Sequence, residues 1–137
     1  MRISRQESLM KIAEITAERS TCSRLKVGAV LAHDSRVIST GYNGPPSGMP
    51  HCQHDLESGE PCHDAVHAET NALIFAGRYG VPTVGTSLYV THMPCISCSQ
   101  LIITAGVKKV YYRNSYRLVD GVELLFRGGV SVGKLEV

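Results

Sequence analysis

The 137-residue chain predicts an α/β fold: a three-layer α/β/α sandwich around a mixed five-stranded sheet. Three observations carry this. From His67 onward, short β-branched runs alternate with stretches of helical period, the pattern of parallel strands joined by right-handed crossovers. Near the N-terminus, two apolar runs are separated by four turn-forming residues, which implies an antiparallel hairpin and makes the sheet mixed. No linker or internal repeat divides the chain. At this length one core buries about two-thirds of the unfolded surface, so residues 1–137 are expected to form one domain.

Each element has its own signal. Ser4-Arg5-Gln6-Glu7 has the form of a capping box and starts a helix over 5–19, with Leu9, Ile12, Ala13 and Thr16 at helical spacing. Strands follow at 26–32 and 37–42, with His33-Asp34-Ser35-Arg36 as the turn. Gly41 to Gly48 carries two prolines and three glycines and is a shaped loop. Residues 49–66 are polar and aperiodic, an irregular insertion that needs something other than a core to order it. Residues 67–78 read as a helix with Ala68, Ala72, Leu73, Phe75 and Ala76 inward, stopped at Gly77 or Gly80. A buried strand over 86–91 leads to a helix over 95–105, with Leu101, Ile102 and Ala105 apolar and Gly106 as its stop. A strand at 109–112, a helix at 122–127 ending at Gly128-Gly129, and a strand at 130–135 complete the chain.

Composition narrows the function. A net charge of +2 without a run of Lys or Arg argues against a nucleic-acid polymer as partner. No apolar run approaches the roughly 18 residues of a membrane span. Met1 to Arg5 lacks the apolar core of a signal peptide, so a cytoplasmic protein is expected. Five cysteines, and six histidines of which five fall between Met49 and His92, favour metal binding in a reducing compartment.

The chemistry concentrates between His67 and Cys98. Cys95 and Cys98 are three apart at a helix start, so their thiols leave one face, and the helix N-terminus favours the thiolates. Pro94 suits the position at or just before the first turn. His67 and Glu69, two apart, do not share a helix face, so His67 belongs at the non-helical entrance, with Glu69 a neighbour rather than a second ligand. Zinc held by His67, Cys95 and Cys98 keeps one position for water and lowers that water's pKa towards ~7. Glu69 is the candidate catalytic acid–base that moves protons between water and substrate. The competing reading is a closed zinc knuckle with Glu69 on a helix surface.

His67-x-Glu69 followed by Pro94-Cys95-x-x-Cys98 is the signature of zinc nucleobase deaminases. With Arg19-Ser20-Thr21-Cys22, Lys26-Val27-Gly28-Ala29-Val30, Gly41-Tyr42-Asn43-Gly44, Tyr89-Val90-Thr91-His92-Met93 and Leu101 to Lys108, the chain resembles the cytidine/deoxycytidylate deaminase family, and its deoxycytidylate branch most closely. The resemblance implies hydrolysis of dCMP to dUMP and ammonia, supplying dUMP for dTMP synthesis. It implies substrate contacts from Asn43 (the sugar hydroxyl), Ala68, Arg24 and Tyr116 (the last two near the 5′-phosphate). It also implies a homohexamer activated by dCTP and inhibited by dTTP, with Mg²⁺ accompanying the effector nucleotide. The effector site would be Gly41, Tyr42, Asn43 and Gly44, with Arg78 at a subunit interface linked to that control.

Some members of this branch, notably phage and bacterial ones, also carry a second, structural zinc, and the resemblance implies one here. Here Cys22, Cys52 and Cys62 supply three ligands and His54 is chosen as the fourth, with His51 and His63 as rivals. A metal there would explain how the polar insertion is ordered. The alternatives are deamination of another base (free cytidine, guanine or a tRNA adenosine) or a catalytically inert zinc module. The missing basic stripe argues against tRNA, and Glu69 argues against an inert module. Without Trp, and with only two Phe, stacking on the base falls to a Tyr or a His.

Overall fold

The computed structural model describes residues 1–22, 24–51, 64–116 and 118–136. In chain order they form α1 (Arg5–Ala17), β1 (Gly28–His33), β2 (Arg36–Tyr42), α2 (Ala68–Arg78), β3 (Ser87–His92), α3 (Ile96–Thr104), β4 (Lys109–Asn114), α4 (Asp120–Arg127) and β5 (Ser131–Lys134). The sheet runs β2-β1-β3-β4-β5. Its β2/β1 and β1/β3 pairs are antiparallel, and β3/β4 and β4/β5 are parallel. The mixed five-stranded sheet expected from the sequence is present.

Period-2 alternation divides the core. Ala29 and Leu31 of β1, Leu88 and Val90 of β3, and Val110 of β4 face α2, α3 and α4, where they meet Ala68, Ala72, Ile102 and Leu125. Val30, Ala32 and Tyr89 face the opposite way, onto Leu9, Met10 and Ala13 of α1. Tyr89 stacks on Tyr111 with ring centroids 4.8 Å apart, and Arg113 of β4 pairs with Glu14 of α1.

The inward face of α1 differs from the sequence expectation. Leu9, Met10, Ala13 and Ala17 are buried, while Ile12 is 37% exposed and the hydroxyl of Thr16 bonds back to Ile12 O at 2.7 Å. The reason is Gly28. A Cβ there would lie 2.6 Å from Ala17 N, so α1 crosses β1 almost in backbone contact and only alanines fit beneath it. Two other expected core positions lie outward: Leu101 is 44% exposed, and Phe75 is only half-buried. Both sit on helix flanks that turn away from the sheet.

Helices α2, α3 and α4 stop alike. Gly106 has φ +80, its N–H bonds to Ile103 O, and Val107 N–H reaches back to Ile102 O. Gly80-Val81 and Gly129-Val130 repeat that pattern. This is a Schellman stop, in which the glycine takes the left-handed conformation and the following apolar residue turns back onto the core. Gly80, not Gly77, therefore ends α2. The hairpin turn is tighter than four residues: His33 pairs with Arg36, and Asp34 and Ser35 both have positive φ, as a two-residue type I′ loop requires.

Candidate zinc and active site

The N-termini of α2 and α3 meet beside the C-terminal end of β3. His67 is the N-cap of α2, with extended backbone (φ −67, ψ 152), and makes no side-chain cap bond. Its imidazole turns instead to α3, where Nδ1 lies 3.2 Å from Cys98 Sγ and 3.5 Å from Cys95 Sγ. Cys95 is the N-cap of α3 and accepts the N–H of Cys98 at 3.5 Å. The three donor atoms lie within 4.8 Å of one another.

The donor set fits zinc. A tetrahedral zinc, with Zn–N of about 2.0 Å and Zn–S of about 2.3 Å, sets its N and S donors about 3.6 Å apart. The thiols share a proton unevenly. Cys95 is drawn down to about 4 by hydrogen bonds from the Cys98 thiol and His67, while Cys98 is pushed far up by the bond to Cys95 and by burial. A thiolate, an imidazole and a second thiol at such range form a ready cation site, and both helix N-termini favour the negative charge. Cys98 is buried, whereas His67 and Cys95 are exposed, so one side of the site is open. That openness separates it from a closed structural knuckle.

Glu69 is 5% exposed, in the first turn of α2. Burial raises its carboxyl to about 7, against the opposing pull of its own backbone N–H and of His67. A buried carboxyl that is not itself a ligand and titrates near neutrality suits proton transfer. Thr70, whose hydroxyl lies 3.7 Å from Cys98 Sγ, adds a contact that the motif does not announce.

A cleft of about 770 Å³ opens onto these residues. Its walls include Arg24, Asn43, Ala68 and Tyr116, so the structure brings the four expected substrate residues to the metal ligands. Ala68 is the first helical residue of α2, where backbone N–H groups lack intrahelical partners. Asn43 is bound on both ends of its amide: Oδ1 accepts from Val27 N at 2.8 Å and Nδ2 donates to Leu25 O at 2.8 Å. One amide proton and one lone pair remain for a ligand. Burial raises the Tyr116 phenol, the negative charges of Glu69 and Cys95 raise it further, and the charge of Arg24 lowers it.

Among the cleft residues that the sequence reading gave no role are His92, Leu118 and Asp120. His92 ends β3 and packs on Tyr116, with centroids 5.9 Å apart. Asp120 arrives because Gly121 lets α4 start directly on the backbone of Pro94 and Cys95, where a Cβ would lie 2.8 Å from the Cys95 carbonyl carbon. Only the Thr91-His92-Met93-Pro94-Cys95 run could have suggested His92, by adjacency to the ligands.

The remaining expected sites lie elsewhere. Gly41 is packed on α2, where a Cβ would lie 2.6 Å from Ala72 N. Tyr42 is 37% exposed, and Gly44 is buried and bridged to Val66. Arg78, in the last turn of α2, lies over the rings of Phe75 and Tyr79 at 5.6 and 5.9 Å. Cys22 is buried, and His51 Nδ1 lies 2.7 Å from the Thr21 hydroxyl. Cys52, His54, Cys62 and His63 lie outside the described residues. Among the described residues no helix is long and apolar enough to cross a membrane.

A family model for the cytidine and deoxycytidylate deaminase zinc-binding region matches residues 3–114. The chain belongs to this deaminase family. The ComE operon protein 2 of Bacillus subtilis (strain 168) is 42% identical to it over 139 residues, covering 99% of this chain and 74% of that protein. The deoxycytidylate deaminase of Mycobacterium phage D29 is 42% identical over 119 residues, covering 77% of this chain and 91% of the phage enzyme. The crystal structure of the dCMP deaminase of cyanophage S-TIM5, in complex with dCMP and dUMP, superposes with a TM-score of 0.91. It is 42% identical and covers 98% of this deaminase and 99% of its own chain.

Proposed function

We propose that this deaminase hydrolyses dCMP to dUMP and ammonia, supplying dUMP for dTMP synthesis in the cytoplasm. The observation that carries the reading is the convergence of His67, Cys95 and Cys98 at a cleft whose one buried carboxylate, Glu69, is not a ligand. The 42% identity to a dCMP deaminase crystallised with dCMP and dUMP supports that nucleotide as substrate. His67, Cys95 and Cys98 would hold the zinc, which would supply an activated water. Glu69 would accept a proton as water adds to the pyrimidine C4 and deliver it to the adjacent ring nitrogen. It then carries the second proton to the departing amine, so that the C–N bond breaks and ammonia leaves. Asn43 holds the sugar hydroxyl, the Ala68 N–H holds the base, and Arg24 and Tyr116 receive the 5′-phosphate.

The test is ammonia release by the zinc-loaded protein from dCMP, CMP, deoxycytidine and cytosine, with the highest kcat/KM expected on dCMP. Zinc binding with no turnover of any of the four would sink the assignment.

We also propose a homohexamer activated by dCTP and inhibited by dTTP, each with Mg²⁺, at the loop Gly41 to Gly44, and coupled between subunits through Arg78. The exposed side chain of Tyr42 and the exposed Arg78 and Tyr79, stacked with half-buried Phe75, support this reading. Dependence of velocity on dCTP, together with the solution mass, tests it. A second zinc on Cys22, Cys52, Cys62 and His54 completes the proposal. Elemental analysis giving two zinc atoms per chain supports it, and one would end it.

A further inference from the structure

Two contacts at the end of β3 leave one ring nitrogen of His92 for the cleft. The N–H of Gly28 donates across the sheet to Thr91 Oγ1 at 3.2 Å. The same oxygen lies 2.8 Å from His92 Nδ1. Thr91 is 3% exposed, so solvent supplies no further partner. A threonine hydroxyl has one proton and two lone pairs. With Gly28 on one lone pair, the proton satisfies itself by donating to Nδ1, the acceptor placed for it among the described residues. The reverse bond, with Nδ1–H donating, would strand the hydroxyl proton in a dry site, which costs more than the bond returns. Nδ1 therefore accepts, and the imidazole proton sits on Nε2.

The backbone around the ring is clamped as well. Asn114 Nδ2 donates to Thr91 O at 2.7 Å, and Met93 N donates to Asn114 O at 2.9 Å. The ring is half-buried, its face set against Tyr116 at a tilt of 31°. Burial lowers its pKa, which favours the neutral form. Among the described residues Nε2 has no hydrogen-bond partner, and His92 lines the cleft that holds Glu69 and Arg24.

We propose that His92, fixed as the Nε2–H tautomer by Thr91, is a specificity-determining residue that donates a hydrogen bond to an oxygen of the bound pyrimidine nucleotide. The proposal rests on the dCMP reading for its ligand but not for its tautomer. The shared chemistry is an oxygen acceptor, which the base carbonyl and the 5′-phosphate both offer.

The first experiment needs no turnover. Histidine-labelled ¹⁵N spectra of the zinc-loaded protein, with His92 assigned by its loss in His92→Gln, are expected to show a protonated Nε2 and an unprotonated Nδ1. Thr91→Val should mix the tautomers and Thr91→Ser restore the pattern. A protonated Nδ1 overturns the proposal. The second experiment is kinetic. His92→Gln places an amide N–H near the Nε2 position and should keep kcat/KM on dCMP within about threefold, whereas His92→Asn and His92→Ala should lose roughly ten- to a hundredfold. Zinc content and melting temperature, equal in the Gln and Asn variants, separate this from a structural role. Equal losses in Gln and Asn, or none in Ala, overturn it. Repeating the pair on deoxycytidine locates the acceptor: a surviving Gln–Asn difference supports the base oxygen, and a difference confined to dCMP supports the phosphate. A wild-type protein inert on dCMP would refute the function proposed above while leaving the tautomer test standing.

Discussion

Helices α1 and α3 begin with the same local arrangement, a side-chain atom at the N-cap facing the backbone N–H three residues on. In α1 the atom is Ser4 Oγ, exposed, accepting Glu7 N–H at 3.0 Å. In α3 it is Cys95 Sγ, accepting Cys98 N–H at 3.5 Å. Helix α2 goes further, since His67 at its N-cap makes no cap bond and gives its imidazole to the two sulfurs. A hydroxyl is a good acceptor, sulfur a weak one, and a committed imidazole none. The starts of α2 and α3 are thus poorly capped where the chemistry is, and their stability comes from packing of Ala68, Ala72 and Ile102 and from the metal. Functional sites commonly carry such local deficits, offset by the surrounding structure.

Substitutions at the three helix starts test this contrast. The largest effect is expected from His67→Ser or Cys95→Ser, which install a better cap while removing a ligand. Both should lose the catalytic zinc and with it deamination. Yet the metal-free form of His67→Ser should be more stable than metal-free wild type by about 1 kcal/mol, the usual worth of a cap. Chemical denaturation after chelation reads this directly, and a less stable apo variant would contradict the contrast. Next is Glu69→Gln, one position inside α2. It should keep its zinc by elemental analysis and lose roughly 10²–10⁴-fold in kcat, the range for a positioned acid–base group.

Gly28→Ala tests the packing that frees α1 from any such duty. A Cβ there would meet the backbone of Ala13 and Ala17, so the helix must shift, at a cost of about 1–3 kcal/mol in urea denaturation. The smallest effect belongs to Ser4→Ala. It should cost about 1 kcal/mol with kcat and zinc content unchanged, because its cap serves only its own helix. A change in zinc content there would show that the two ends communicate.

What the linear chain determined was whatever depends on near neighbours: the Ser4 cap, the alternating strands, the glycine stops after α3 and α4, and a zinc site whose ligands announce themselves because His67 sits at a helix mouth and Cys95 and Cys98 share a turn. Spacing along one element is a local quantity, so it can be read without coordinates. The contact of α1 with Gly28 across the sheet decided that Met10 and Ala17, not Ile12 and Thr16, face inward. The tie from Gly28 through Thr91 to His92, and the seating of α4 on Pro94, likewise join residues from separate elements. Periodicity names the helix but not its rotation, and no spacing rule says which strand end will meet which loop. Those choices follow from steric fit and hydrogen-bond satisfaction between distant segments, which exist only once the chain has folded.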